Sequence, residues 1–225
     1  MDSEDPTGGA DLVIDPGEQD AGTTTPRPVG RPVRPTSPWR AWRRDIYGLA
    51  SVLLLTALVA WDHLTAGRGL YRVDIVTQYL PWYTYLGQHL RHGDIPGWLP
   101  NTLSGTPFAG DPQSGWMYLP VMAIFTLFSG VTGFGILIVF HLLLAGLSTY
   151  ALARVLGMMP LGAVAAATAY EFGAFLERIR CCTIHAEVGA WLPLAFLGVE
   201  LAVRSRSWFG RAGWWAVAGL ALSQM

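Results

Sequence analysis

Residues 67–115 read GRGLYRVDIVTQYLPWYTYLGQHLRHGDIPGWLPNTLSGTPFAGDPQSG. This is the one long segment between apolar runs that is rich in both hydrogen-bonding side chains and aromatic rings. Asp74, Gln78, His89, His92, Asp94, Asn101, Asp111 and Gln113 are interleaved with Tyr71, Tyr79, Trp82, Tyr83, Tyr85 and Trp98. Apolar segments flank it on both sides, so it reads as a loop held at a membrane surface, and it is where chemistry is expected. The other segments position it.

The whole chain agrees with that reading. Of its 225 residues 52% are hydrophobic and 14% charged, with a mean hydropathy of +0.34, too apolar and too sparsely charged for an ordinary soluble domain. The net charge is −1, and no basic cluster with stacking aromatics is present, which sets nucleic-acid binding aside. Every basic residue other than His is Arg, and with 26 glycines this suggests a GC-rich bacterial genome. Cys181 and Cys182 are adjacent, so they build neither a disulfide framework nor a C-x-x-C site. They read as small apolar residues.

Working outward, the N-terminal residues up to 44 form a tail of Pro, Gly, Thr and Asp, acidic first and arginine-bearing later. It lacks the apolar surface to offset its ordering entropy, so a disordered cytoplasmic tail is expected over 1–44. Residues 45–225 are the membrane domain. Residues 46–64, IYGLASVLLLTALVAWDHL, match the roughly 20 residues a spanning helix needs. Arg40, Arg43 and Arg44 precede this run and place its start in the cytoplasm, with Trp61 at the far interface. It is followed by Trp61-Asp62-His63 rather than a cleavage site, so it reads as a retained anchor.

The loop, residues 65–130, then lies outside. Residues 118–128, YLPVMAIFTLF, are about half a span and read as an interfacial or re-entrant helix, the competing reading being a hairpin of two full spans. Further spans are expected at 131–152, 161–176, 188–203 and 212–225, alternating so that Arg154, Arg204, Arg206 and Arg211 fall inside. The expected fold is an all-α integral membrane bundle of about five spans with a long extracytoplasmic first loop containing interfacial helices. The last run stops at Ser223-Gln224-Met225, too early to finish a crossing, so the chain reads as an N-terminal portion of something longer.

Within the loop, Val73, Val76, Leu80 and Tyr83 recur at i, i+3, i+7 and i+10, which predicts a helix with that face on the membrane. Asp74 and Gln78, four apart, then share a neighbouring side. A carboxylate at the bilayer edge serves as a general base toward an acceptor hydroxyl or as a ligand for a hard divalent cation. The plainer reading is a helix N-terminal charge, or a partner of Arg72 or Arg68. Residues 98–115 form a Gly/Pro-punctuated loop able to turn backbone N–H groups toward a phosphate or sugar. Asp111 within it is a second carboxylate for sharing a cation, Mg²⁺ or Mn²⁺, with Asp74; alternatively, Asp111-Pro112 simply opens a turn.

The runs Asp74-Ile75-Val76-Thr77-Gln78-Tyr79-Leu80-Pro81-Trp82, Gly93-Asp94-Ile95-Pro96-Gly97-Trp98, Ser104-Gly105-Thr106-Pro107 and Asp111-Pro112-Gln113-Ser114-Gly115 resemble the YfhO-like family of bacterial membrane proteins, of the GT-C class of glycosyltransferases. The likeness continues through Tyr150-Ala151-Leu152-Ala153-Arg154-Val155-Leu156-Gly157, Ala169-Tyr170, Phe172-Gly173, His185 and Ala190-Trp191-Leu192-Pro193. It implies a GT-C-like fold in the bacterial cell membrane, whose first external loop carries the catalytic acid. It implies an enzyme that moves a sugar from a polyprenyl-phosphate donor to a cell-envelope glycan or lipid acceptor. Asp74 matches the catalytic carboxylate; Asp111, Gln113 and His185 match motif positions that would bind substrate, beside Gln78. Arg68, Arg72 and Arg91 are candidates for the donor phosphate, because a guanidinium pairs phosphate oxygens in a fork; interfacial snorkelling is their simpler reading.

Two features depart from that pattern. Glu171 falls mid-span, where a charge costs roughly 2.5–3.5 kcal/mol unless paired or facing a polar cavity. The stretch ERIRCCT at 177–183 is unusually charged for its place. Family members also have many more spans. The alternative expectation is therefore a non-catalytic membrane protein, a transport partner or an inactive truncated remnant.

Overall fold

The computed structural model describes residues 38–65, 74–102, 104–128, 130–173 and 183–225, all within one compact unit, Ser37–Met225. Arg68, Arg72, Val73, Cys181 and Cys182 lie outside the described residues, as does most of the stretch ERIRCCT at 177–183.

The chain is mostly helical. Helix α1 is Pro38–Thr65; a π-helical turn, Ile75–Tyr79, runs directly into α2, Leu80–Arg91. Two short antiparallel strands follow, β1 at Trp98–Leu99 and β2 at Thr106–Pro107, with Trp98 opposite Pro107 and Leu99 opposite Thr106. Then come α3 (Leu119–Leu127), α4 (Gly130–Val155), α5 (Pro160–Phe172), α6 (Thr183–Arg204) and α7 (Trp208–Ser223). Proline occupies the first turn of α2, α3 and α5, where its missing N–H goes unneeded and its fixed φ starts the helix. Ser207 caps α7 by accepting from the Gly210 N–H at 3.0 Å, satisfying one of the first-turn donors.

Among the described residues three helices are long and apolar enough to cross a membrane: Trp42–Trp61, Gly130–Val155 and Ile184–Arg204. These coincide with three of the five expected spans, and the mostly helical chain is consistent with an all-α membrane protein. Helix α5, with 13 residues, and α7, with 16, are shorter than the roughly 17–25 a spanning helix uses. Residues 118–128 do not form a hairpin of two spans: α3 has nine residues and a separate helix begins at Gly130.

Helix α4 is the hub, packed against α1, α2, α3, α5 and α6, with α7 against α6. One end of the bundle is fixed by polar ties. Arg154 Nε lies 2.5 Å from Asp45 Oδ1, Tyr150 donates to the same oxygen at 2.8 Å, and Arg204 donates to the Val155 carbonyl at 2.8 Å. These contacts join the start of α1 to the ends of α4 and α6. Helices α2 and α3 pack on α4 toward its start, where Phe125 and Phe134 both touch Tyr83.

Two apolar clusters result. The larger joins Ile75, Tyr79, Tyr83, Leu86, Leu99 and Phe108 to Phe125, Phe134, Leu137 and Trp191. The smaller, of Val52, Tyr150, Ala153, Ala163 and Ala167, lies where α1, α4 and α5 meet.

Of the stripe expected to face the membrane, Val76 is exposed and Leu80 partly buried, but Tyr83 belongs to the packed face. Ile75, Tyr79, Tyr83 and Leu86 are buried, whereas Val76 is exposed. The cause is the π turn: the Leu80 N–H bonds to the Ile75 carbonyl, five residues back. One extra residue in that turn shifts the phase of everything before it.

Candidate functional site

The loop is built on α2. Its buried stripe enters the larger cluster, and Tyr83 sits at the centre, edge-on to Phe125 with ring centroids 5.5 Å apart and stacked on Phe134 at 6.4 Å. Helix α3 approaches α2 closely because position 87 is glycine. A Cβ there would lie 2.1 Å from the Phe125 carbonyl oxygen, which no side chain could accept without moving a backbone.

The opposite side of the π-helical turn carries the polar groups. Asp74 is exposed at its head, and Gln78, one turn on, is half-buried. Gln78 Nε2 donates to Gln113 Oε1 at 2.6 Å across 35 residues of sequence. Gln113 in turn donates its backbone N–H to Asp111 Oδ1 at 2.8 Å, an Asx turn that fixes the carboxylate on its own backbone. Gly115 closes this segment at φ +75°, and a Cβ there would meet Tyr83 Cε1 at 2.8 Å. The Asp111–Gly115 turn is thereby seated on the same Tyr83 that anchors α2.

The structure brings Asp74, Gln78, Asp111 and Gln113 onto two adjoining segments joined by the glutamine pair. Arg72 lies outside the described residues. His185 is exposed near the start of α6. Arg91 is engaged within the protein. Its Nε and Nη2 donate to the carbonyls of Thr126, Phe125 and Phe128 at 2.8, 3.0 and 3.1 Å, satisfying carbonyls at the end of α3 that have no partner within the helix.

Beneath the loop runs a buried polar layer that periodicity did not reveal. Glu187, 6% exposed, accepts from the Tyr83 hydroxyl at 2.9 Å, and burial first, then the Glu187 carboxyl, hold the Tyr83 phenol well above its ordinary range. Trp191 Nε1 donates to the Tyr118 hydroxyl at 2.9 Å, and that hydroxyl makes a short bond to His141 Nε2. Burial raises the Tyr118 phenol as well, so both tyrosines act as neutral hydroxyls. Gln224, at the end of α7, accepts from the Leu119 N–H at 2.9 Å and caps α3. The sequence signal was the acid and histidine set among apolar residues, which must find donors there; the identity of those donors depends on the fold.

Among the described residues no group of three or more His, Cys, Asp or Glu side chains gathers as a metal site. Asp74 and Asp111 supply two carboxylates, short of a protein-built cage; Mg²⁺ is often held by one or two carboxylates with waters and substrate phosphates completing its shell. Chemically the site offers an exposed carboxylate, amide groups suited to sugar hydroxyls, and a rigid base. Large apolar side chains stand exposed on the segments of the external loop, among them Val76, Met117, Leu119, Leu127 and Phe128. Compared against protein-family models, curated proteins and solved structures, the chain matches none of them.

Proposed function

We propose that this protein is a membrane glycosyltransferase of the YfhO-like, GT-C kind, transferring a sugar from a polyprenyl-phosphate donor to a cell-envelope acceptor on the extracytoplasmic side. The observation that carries the reading is the exposed Asp74 at the head of a helix whose other face is locked into the core, beside a Gln78–Gln113 bridge to the Asp111 turn. Loose loops do not hold a base in place; this one is seated on Tyr83, Phe125 and Phe134.

In the proposed reaction Asp74 takes the proton of the acceptor hydroxyl. The acceptor oxygen bonds to the anomeric carbon as the bond from that carbon to the phosphate oxygen breaks, and polyprenyl phosphate leaves with the electron pair. Gln78 and Gln113 orient sugar hydroxyls, and Asp111 orders the turn that holds Gln113. The exposed apolar side chains around the loop give the polyprenyl chain a lipid-like surface. If a divalent cation takes part, Asp74 and Asp111 are the residues that would hold it, Asp74 then serving as ligand rather than base, and it would supply charge stabilisation to the donor phosphate; chelation of membranes, followed by metal add-back, tests this separately.

The test is transfer of labelled sugar from a polyprenyl-phosphate donor by membranes containing the protein at its native length. Asp74→Asn is expected to lose about 10²–10⁴-fold, the usual contribution of a positioned general base. Unchanged transfer would remove Asp74 from the chemistry, and no transfer by wild type would favour the non-catalytic alternative.

A further inference from the structure

Glu171 takes no part in the loop chemistry. It lies on α5 with 1% of its surface exposed, and among the described residues its Oε2 is a buried side-chain oxygen without a hydrogen-bond partner. Its Oε1 is 2.5 Å from Thr56 Oγ1 on α1. The same Thr56 oxygen is 2.9 Å from the Val52 carbonyl one turn back.

A hydroxyl has one hydrogen to give. Both contacts are full hydrogen bonds only when Thr56 donates to Val52 and Glu171 donates to Thr56, which places a proton on the carboxyl. The free oxygen supports this arrangement. It faces Gly146 of α4, where an added Cβ would come within 2.2 Å of Oε2 and 3.1 Å of Val52 Cγ1. A carboxylate in that apolar corner, with one oxygen unpartnered, would bear a desolvation cost of several kcal/mol. A neutral acid leaves only a carbonyl oxygen there.

Among the described residues no counter-charge contacts Glu171. On α1 and α4, the helices packed against α5, the titratable side chains near the arginine-bearing end are Arg43, Arg44, Asp45, Tyr47, Tyr150 and Arg154. Asp45, Tyr150 and Arg154 bond one another, and Arg43 donates to Tyr47. His141 of α4 bonds Tyr118, Tyr170 on α5 donates to the Gly189 carbonyl, and Glu187 of α6 accepts from Tyr83. Among the described residues the only hydrogen-bond partner of Glu171 is Thr56.

We propose that Glu171 is a reversible proton-binding site inside the helix bundle, occupied by a proton while α1, α4 and α5 are docked and emptied as they separate. This is independent of the sugar-transfer reading. Because the docked state keeps the proton, the α1–α5 contact weakens as pH rises.

The experiment is infrared difference spectroscopy of the full chain in lipid nanodiscs, wild type minus Glu171→Gln, titrated from neutral to alkaline pH. Glutamine matches the neutral acid in shape. The expected result is a protonated-carboxyl C=O band at neutral pH, lost as pH rises while a carboxylate band grows. Thr56→Val keeps the acid but removes its acceptor, so in that variant the band should persist and shift. A carboxylate band already present at neutral pH would overturn the proposal, and one that responds to Na⁺ rather than to pH would replace it with a cation site. A C=O band that Thr56→Val leaves unmoved would also overturn it, since the acid would then not be bonded to Thr56.

Discussion

The outer cluster beneath the loop and the inner junction of α1, α4 and α5 are closed by opposite means. The outer one is aromatic and polar-tipped: Tyr83, Tyr118, Phe125, Phe134 and Trp191 interlock, and each buried hydroxyl or ring nitrogen among Tyr83, Tyr118, His141 and Trp191 has a partner. The inner one has a single ring, Tyr150, and is otherwise Val52 and small residues, Ala153, Ala163, Ala167 and Gly146, that let helices approach, and it contains a buried acid with one oxygen unpartnered. Large interlocking rings fix a geometry, which a site on their surface requires. Small residues let helices approach closely, which brings Glu171 of α5 against Gly146 of α4 and Thr56 of α1.

Substitutions that should separate the two regions follow in order of expected size. Phe125→Ala removes a fully buried ring and is expected to cost about 3–5 kcal/mol. It should speed hydrogen exchange in α2 and α3 while leaving α1–α5 protection unchanged; equal loss in both regions would mean that they are one cooperative unit. Ala167→Leu overfills the inner junction, where residue 167 is fully buried, at a cost of roughly 1–3 kcal/mol. It should loosen α1 from α5 without touching α2, as read by cross-linking between cysteines placed on those helices.

Tyr83→Phe keeps the ring but leaves the buried Glu187 carboxyl unpartnered, an expected loss of ~1–3 kcal/mol in α2 protection against exchange. No change would mean that Glu187 finds another donor and that ring packing alone holds the loop. The smallest effect is at Asp94, whose carboxyl is held below its ordinary value chiefly by the hydrogen bond to His89, 2.7 Å away. A depressed carboxyl stabilises above the usual carboxylate range and loses that contribution as pH falls through its own value. The pair is solvent-exposed, so Asp94→Asn should only flatten the acid side of a stability–pH curve. An acid limb identical to wild type would mean that the pair contributes nothing.

The three long helices were legible because hydropathy alone marks a span, and α3 was legible as a short element because the largely apolar run 118–128 reaches Gly130 too soon for a crossing. The side of the loop helix bearing Asp74 and Gln78 was also readable from their spacing. Its buried face was not, because a π turn shifts the phase of a 3.6-residue pattern and leaves no mark in composition. Nor were the long-range ties. Tyr83 meets Glu187 across 104 residues and Thr56 meets Glu171 across 115. Glu171 stood out in the sequence as a cost without a partner; only the packing of α1 on α5 supplied the partner. Arg91 read as a snorkelling side chain or a candidate phosphate ligand because its charge was visible, while the carbonyls at the end of α3 that it satisfies were not.

The most direct test is a pair of readings on one sample of Asp74→Asn: labelled-sugar transfer, and hydrogen exchange across residues 80–91. We expect transfer to be lost while α2 stays as protected as in wild type, because Asp74 is exposed and the ring cluster beneath it is untouched. Transfer at the wild-type rate with α2 equally protected would contradict the assignment of the chemistry to this loop.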